Sequence, residues 1–136
     1  MTGFTARCLC GDIAFASSSD PKMQANCHCD DCRRAGGSVY ASLVMVPAED
    51  ITISKGEPAS FAHQSDNGTT MTKYFCPNCS SQLFGSNSAN PAIRTVRVGV
   101  IEDASWFQPQ ISVYTSRKLP STLLNDDIKV FDRMPG

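Results

Sequence analysis

The stretch Cys27-His28-Cys29-Asp30-Asp31-Cys32 places three thiols within six residues. One residue separates the first two of these cysteines and two residues separate the second pair, so a short turn can direct all three sulfur atoms at one point. Zn²⁺ is a borderline-soft ion that prefers thiolate and imidazole ligands in a tetrahedral arrangement. The spacing therefore predicts a zinc site with three protein ligands and one tetrahedral position left open.

The other four cysteines form two further pairs. Cys8 and Cys10 make a C-x-C motif, and Cys76 and Cys79 make a C-x-x-C motif much later in the chain. Residues two apart in a β-strand share a face, so Cys8 and Cys10 are expected to reach one ion together. The seven cysteines thus divide as four plus three. A site with four thiolates is closed and structural, whereas three protein ligands beside an open position are typical of a catalytic site.

The bulk composition is that of one globular domain, which we expect to span residues 1–136. Hydrophobic residues make up 41% of the chain, yet no apolar run approaches the roughly 20 residues that a membrane helix needs. The first residues lack the basic and apolar segments of a signal peptide, so the expected location is cytoplasmic. In that reducing compartment, clustered cysteines favour metal binding over disulfides.

The charge balance argues against a nucleic-acid partner. The formal net charge is −1, and binding two zinc ions through seven thiolates would bring it to −4, because seven protons leave and two dications arrive. Arg33-Arg34 and Arg117-Lys118 are isolated basic pairs rather than the basic face that nucleic-acid binding usually requires. The sequence leaves the oligomeric state open.

Short β-prone runs separated by turn signals predict a mostly β fold. The run 39–46 is apolar almost throughout and is expected to be a central strand that stops at Pro47. One or two helical turns are expected over 30–35, ended by Gly36-Gly37. The predicted strands are 4–8, 13–16, 22–27, 39–46, 51–53, 60–64, 69–75, 82–85, 93–101, 111–114 and 128–131.

Four segments around the cysteines carry a family resemblance. They are Cys8-Leu9-Cys10-Gly11, the run from Cys27 to Arg34, Gly37, and Phe75-Cys76-Pro77-Asn78-Cys79. They resemble the glutathione-dependent formaldehyde-activating (Gfa-like) family, which includes centromere protein V, over roughly residues 4–115. The resemblance implies a β-tent fold of short antiparallel strands, clamped by a structural zinc on the four paired cysteines. It also implies a catalytic zinc on the remaining three, Cys27, Cys29 and Cys32.

Two places depart from the family pattern. Ser80 follows the last cysteine of the C-x-x-C motif, where the family usually has glycine. Residues 119–124 lie where the family usually carries a tryptophan before the final strand. The second departure bears on the identity of the substrate more than on the fold.

The resemblance implies a reaction in which glutathione adds to formaldehyde and gives S-hydroxymethylglutathione. The ligand set favours such chemistry independently, since a dication held by three thiolates carries a formal charge of −1 and ionises water weakly. A soft incoming thiol suits it better. We therefore predict a zinc-dependent carbon–sulfur lyase with two zinc ions per chain, whose partner is a small thiol or thiol adduct such as glutathione.

The residues around the three-cysteine stretch have less certain assignments. Arg33 and Arg34 could bind a glutathione carboxylate through bidentate hydrogen bonds, or form a solvated pair on a short helix. Asp30 and Asp31 could relay protons, although solvated turn residues are the simpler interpretation. His28 is expected to point away from the ion and to support the fold.

Elsewhere, His63 is assigned to the surface, and Trp106-Phe107 is expected to pack in the core rather than to line a pocket. Two other functional classes stay open. A non-catalytic zinc module could bind a protein or a nucleic acid, as centromere protein V suggests, although it would need only the four-cysteine site. Thiol-redox chemistry is the third class, and zinc-bound thiolates are poor redox switches.

Overall fold

The computed structural model describes residues 2–135, which form two β-sheets and one short helix. The helix α1 covers Asp30–Gly36, and single 3-10 turns cover Ala48–Asp50, Val98–Val100 and Thr115–Arg117. The strands are β1 Phe4–Arg7, β2 Ala14–Ser17, β3 Met23–Cys27, β4 Ala41–Pro47, β5 Ile51–Lys55, β6 Ala59–Gln64, β7 Thr70–Phe75, β8 Gln82–Asn87, β9 Ile93–Arg97, β10 Ile111–Val113 and β11 Lys129–Val130. The prediction of a mostly β fold is confirmed.

The strands divide between a small and a large sheet. Strands β1, β2 and β5 form the small one, and the other eight follow the order β11-β10-β3-β4-β9-β8-β7-β6. Strand β10 runs parallel to β3 and β11, whereas the other pairings are antiparallel. Strand β4 lies inside the large sheet, as its continuous apolar sequence predicts. In the described residues the large sheet stays open, with β11 and β6 at its edges.

The main core packs between the two sheets. Phe15 of the small sheet meets Phe84 of the large one edge to face, with ring centroids 5.1 Å apart. Trp106 and Phe107 pack against this core, as expected. The other fully buried members are Ala6, Cys8, Ile13, Val44, Val46, Cys76, Leu83, Val96 and Ile101. Two of the four paired cysteines are therefore core residues.

A smaller apolar cluster lies beside the three-cysteine stretch. Strand β3 pairs with β4 on one side and with β10 on the other, so Cys27 lies between Ala41 and Val113. Ala25 and Ile111 extend the same buried face by the two-residue period of a strand. Small side chains on β3 thus pack beside branched side chains on β10, and this packing positions the backbone where the three-cysteine stretch begins.

Among the predicted strands that are shorter in the structure, two end where the chain turns out of the sheet. Strand β1 ends at Arg7, so the C-x-C motif lies in a turn and the prediction that it belongs to a strand is wrong. Gly11 closes that turn with a φ of 83°, a left-handed conformation that favours glycine, and donates to the carbonyl of Cys8. Strand β9 ends at Arg97, because the chain turns over Val98–Val100 and brings Ile101 onto Ala6 of β1.

No helix within residues 2–135 has the length and apolar character needed to cross a membrane. The assignment of the whole chain to one domain stays a prediction.

Candidate metal centres

The four paired cysteines converge on one point. Their sulfur atoms all lie within 4.8 Å of one another, although the two pairs are far apart in sequence. The Sγ atom of Cys10 lies 3.6 Å from that of Cys8 and 3.7 Å from that of Cys76. A regular tetrahedron with zinc–sulfur bonds of about 2.3 Å has sulfur–sulfur edges of about 3.8 Å. The donor set and its spacing therefore fit a zinc ion.

Backbone and hydroxyl donors orient these thiols. The N–H of Ile13 donates to Cys8 Sγ at 3.3 Å, and the N–H of Cys79 donates to Cys76 Sγ at 3.5 Å. Ser81 connects the two turns, because its Oγ accepts from the N–H of Leu9 and lies 3.2 Å from Cys79 Sγ. The Ser81 hydroxyl, with the N–H of Cys10, lowers the pKa of Cys79 to about 5. These donors therefore stabilise the thiolate form of the sulfur atoms that they contact.

Ser80 has a strained backbone in this four-thiol centre. Its φ is 64°, which is the left-handed region that glycine adopts freely and other residues rarely enter. The Ser80 N–H donates to the carbonyl of Cys76 at 2.8 Å, which closes the C-x-x-C turn. The backbone conformation of this turn therefore favours glycine at position 80.

The other three cysteines form a second cluster where β3 meets α1. Cys27 ends β3, Cys29 is the N-cap of α1, and Cys32 lies in the first turn of the helix. Their sulfur atoms lie within 4.8 Å of one another. Cys29 Sγ accepts the N–H of Cys32 at 3.2 Å, so the thiol takes the part that an oxygen usually plays at a helix N-cap. Gly37 ends the helix with a φ of 67°, as predicted.

The electrostatics of this three-thiol cluster favour a bound cation. Hydrogen bonds from the neighbouring thiols of Cys27 and Cys32 lower the pKa of Cys29 to about 2. Its thiolate and burial in turn raise the pKa of Cys27, which is nearly enclosed. Three thiolates so close together repel one another unless a cation lies between them. All seven cysteines are free of disulfides, so each sulfur is available to a metal.

His28 faces away from the cluster and is fully buried. Its ring lies 5.0 Å from the ring of Tyr40, and its backbone N–H donates to the carbonyl of Val113. Neither ring nitrogen has a hydrogen-bond partner in residues 2–135, and neither joins the cysteine sulfur atoms as a possible ligand. Burial lowers the pKa of His28, as does the nearby charge of Lys118, and both effects favour the neutral ring.

The acidic residues of α1 are paired rather than only solvated. Arg33 donates to Asp30 at 3.2 Å, and Asp31 lies 3.9 Å from Nδ1 of His63. His63 is half-buried, and its Nε2 lies 2.7 Å from the ammonium of Lys73 on the next strand. The sequence assigned His63 to the surface without a partner, and the β6–β7 hairpin supplies one.

Arg33 and Arg34, which follow the three-thiol cluster in sequence, have different surroundings in the structure. Arg33 turns back to Asp30, whereas Arg34 lines a cleft of about 750 Å³ between α1 and the 76–79 turn. Arg97, which sequence reasoning missed, lines the same cleft. Its charge also acts on Cys32. The hydrogen bond with Cys27 and the charge of Arg97 lower the pKa of Cys32, but the Cys29 thiolate and burial outweigh them and raise that pKa to about 11. No local motif marks Arg97, because it arrives on β9 from a distant part of the chain.

Tyr114 is a second residue that the sequence did not single out. It packs against the smaller apolar cluster with a φ of 56°, which is rare for a bulky side chain. Its hydroxyl donates to Asp66 at 3.1 Å, and Asp66 also pairs with Arg133. Burial and the Asp66 carboxylate raise the pKa of Tyr114 to about 12. The contacts among Tyr114, Asp66 and Arg133 therefore hold the C-terminal segment beside the smaller apolar cluster, against which Cys29 also packs.

Fold and site together define a mostly β protein with two cysteine clusters that could hold zinc, one complete and one with an open position. The sequence profile of the "Glutathione-dependent formaldehyde-activating enzyme" family matches residues 3–117. The chain belongs to this family.

Named relatives are distant in sequence. Proteins of Aspergillus flavus and Aspergillus oryzae, each named "Putative glutathione-dependent formaldehyde-activating enzyme", are 21% identical over 114 residues. The match covers 80% of this chain and 59% of each relative, so this chain spans little more than half their length. A crystal structure of a Rhodobacter sphaeroides protein has 22% identity and a TM-score of 0.57, covering 72% of this chain and 87% of that one. At this identity the likeness concerns the fold alone.

Proposed function

We propose that the protein is a zinc-dependent carbon–sulfur lyase that makes and breaks a thiol–aldehyde adduct, such as S-hydroxymethylglutathione. The observation that carries this proposal is the incomplete ligand set of Cys27, Cys29 and Cys32. In the described part of the chain, no fourth cysteine, histidine or carboxylate joins these three sulfur atoms. A zinc ion held by them would supply one open position that favours the thiolate form of an incoming thiol.

The proposed step is an addition that balances without a co-reactant. The sulfur of glutathione forms a bond to the carbonyl carbon of formaldehyde, and the π electron pair of the carbonyl moves to its oxygen. The proton lost by the thiol ends on that oxygen, which gives the hydroxymethyl thioether. In the reverse direction the carbon–sulfur bond breaks, and the aldehyde and thiol are released.

The chain's own residues support this chemistry in two ways. The three thiolates keep a metal ion electron-rich, which disfavours hydrolysis and suits a soft ligand. The cleft beside α1 offers guanidinium groups, since Arg34 and Arg97 line it. Glutathione carries two carboxylates, which such groups bind well.

Cobalt substitution tests the proposal directly. Cobalt in the three-thiol site should show a stronger thiolate-to-metal charge-transfer band when glutathione is added, because a fourth sulfur joins the three. S-methylglutathione, which cannot form a thiolate, should leave the band unchanged. Cys29→Ser should abolish the response, while Glu49→Gln, an exposed change in the 3-10 turn Ala48–Asp50 and outside both clusters, should keep it.

Catalysis is measured by exchange between formaldehyde and its glutathione adduct, followed by nuclear magnetic resonance with ¹³C-labelled formaldehyde. The wild-type protein should accelerate the exchange and the Cys29→Ser variant should not. A cobalt spectrum that does not respond to millimolar glutathione, with the site shown to be loaded, contradicts thiol binding. A normal spectral response without faster exchange would instead favour a non-catalytic zinc module.

A further inference from the structure

Arg97 lies against the helix face that carries a cysteine of the three-thiol cluster. Its Nη1 atom lies 3.2 Å from the position that a Cβ on Gly36 would occupy. Gly36 follows Cys32 by four residues in α1, and residues with this spacing are neighbours on one helix face, about 5–6 Å apart. The absence of a side chain at Gly36 therefore gives the guanidinium room about one helical turn from Cys32.

The same guanidinium lines the cleft of about 750 Å³, which Arg34 also lines. Small-molecule sites have volumes of about 300–1,000 Å³ and a few convergent polar groups. Ser38, Tyr40 and Gln82 supply such groups here. The cleft thus extends from the helix that bears Cys32 and is large enough for a tripeptide.

Neither arginine of the cleft forms an ion pair with a carboxylate within the described residues. The ion pairs of residues 2–135 occupy Arg33, Arg117 and Arg133, and no carboxylate lies within 4.0 Å of Arg34 or Arg97. Neither guanidinium donates a side-chain hydrogen bond in this part of the chain, although Arg97 is half-buried. Two guanidinium groups in one cleft, neither paired with a carboxylate of the described residues, leave a site for an anion.

We infer that Arg97 and Arg34 form a carboxylate clamp, which binds the acidic arm of the thiol substrate while its sulfur reaches the three-cysteine site. The inference rests on the proposed function, and it narrows the substrate class to small thiols that carry a carboxylate. Arg97 is then a specificity-determining residue that acts on the distant end of the substrate. Arg33 has no place in the clamp, because its guanidinium is engaged with Asp30.

Calorimetric titration of the zinc-loaded protein tests the clamp with three ligands. Glutathione carries both thiol and carboxylates, its diethyl ester keeps the thiol without free carboxylates, and S-methylglutathione keeps the carboxylates without the thiol. Arg97→Gln should weaken glutathione binding about tenfold or more, as expected for the loss of a charge-assisted hydrogen bond. It should leave the binding of the diethyl ester within about twofold, and Arg97→Lys should recover part of the loss.

Two further variants complete the design. Arg94→Gln removes the same charge from the same strand but contacts only backbone carbonyls outside the cleft, so glutathione should bind it normally. Arg34→Gln changes an exposed residue and should weaken glutathione selectively even if Arg97→Gln fails to fold. Metal content is measured for every variant.

The outcomes separate the clamp from the proposed function. Equal affinities for glutathione and its diethyl ester, unchanged in both Arg→Gln variants, overturn the clamp while the thiol chemistry stands. Loss of the second metal from Arg97→Gln, with both thiols weakened alike, also overturns it and assigns Arg97 to charge compensation. Arg97-dependent binding of S-methylglutathione, without a cobalt response to glutathione, supports the clamp and contradicts the proposed function. If none of the three ligands binds, both fail.

Discussion

Replacing Ser80 by glycine should stabilise the protein, because Ser80 adopts a left-handed backbone conformation in the four-thiol centre. A non-glycine residue in this conformation costs about 1–2 kcal/mol. Glycine makes the unfolded chain more flexible, which costs about 0.4–1 kcal/mol in the opposite direction. The Ser80 hydroxyl donates only to the neighbouring carbonyl of Cys79 in an exposed turn, so its loss adds little. The expected net gain in the free energy of unfolding is about 0.5–1 kcal/mol.

The assay is chemical denaturation at a fixed concentration of free zinc, because metal binding to the native state adds to the apparent stability. Ser121→Gly is the matched control, since Ser121 lies in an exposed turn and has no positive φ. It should lose about 0.4–1 kcal/mol through the unfolded chain alone. Equal destabilisation of both variants would refute the idea that the C-x-x-C turn strains Ser80.

Three further predictions follow from the two clusters and the chain's C-terminal contacts. Freshly purified protein should contain two zinc ions per chain by elemental analysis. A content of at most one ion, even after zinc-supplemented expression, would show that the three-thiol cluster does not hold zinc. Cys76→Ser should unfold the protein by circular dichroism, since a structural metal contributes folding free energy, whereas Cys29→Ser should stay folded and lose one ion. Equal unfolding of the two variants would make the three-thiol site structural as well. Arg133 lowers the pKa of Asp66 below 3.8, so this contact stabilises the fold above that pH and is lost as the pH falls through the lowered value. The protection factors of amides around Phe131, which correct for the pH dependence of intrinsic exchange, should therefore decrease in acid in the wild type, while Asp66→Asn should show the lower protection already at pH 7.

The two cysteine clusters were predictable because their signals are local. Each pair of cysteines in the four-thiol centre has a spacing that one turn can satisfy, and counting thiols joins the two pairs. The N-terminal pair still lies in a turn rather than a strand, because Gly11 bends the chain after Cys10. The sequence also did not predict that β9 ends at Arg97. The chain leaves the sheet there because Ile101 pairs with Ala6 of β1, a contact between residues far apart in sequence.

Arg97 and Tyr114 were not predictable, because their importance arises from strand order. Arg97 pairs with Leu43 across β9 and β4, and only that register brings its guanidinium over Gly36. Tyr114 follows β10, which reaches β3 through a parallel pairing between residues far apart in the chain. Local spacing carries no information on either arrangement. In the sequence, Gly36 indicates only the end of a helix. In the folded protein it also leaves room for the Arg97 side chain of β9.

The burial of the two clusters assigns them different physical roles. Cys8 and Cys76 are fully buried in the main core, so removing a metal between them would leave unbalanced thiolates where no water can reach them. The three-thiol cluster borders the smaller core, where Cys29 and Cys32 are only partly buried. Since β3, α1 and β4 all lie between Cys10 and Cys76 in sequence, a metal in the first centre closes the segment that shapes the second. If both clusters hold metal, we therefore expect the first to be closed and permanent, and the second to leave a position free for exchange without weakening the fold.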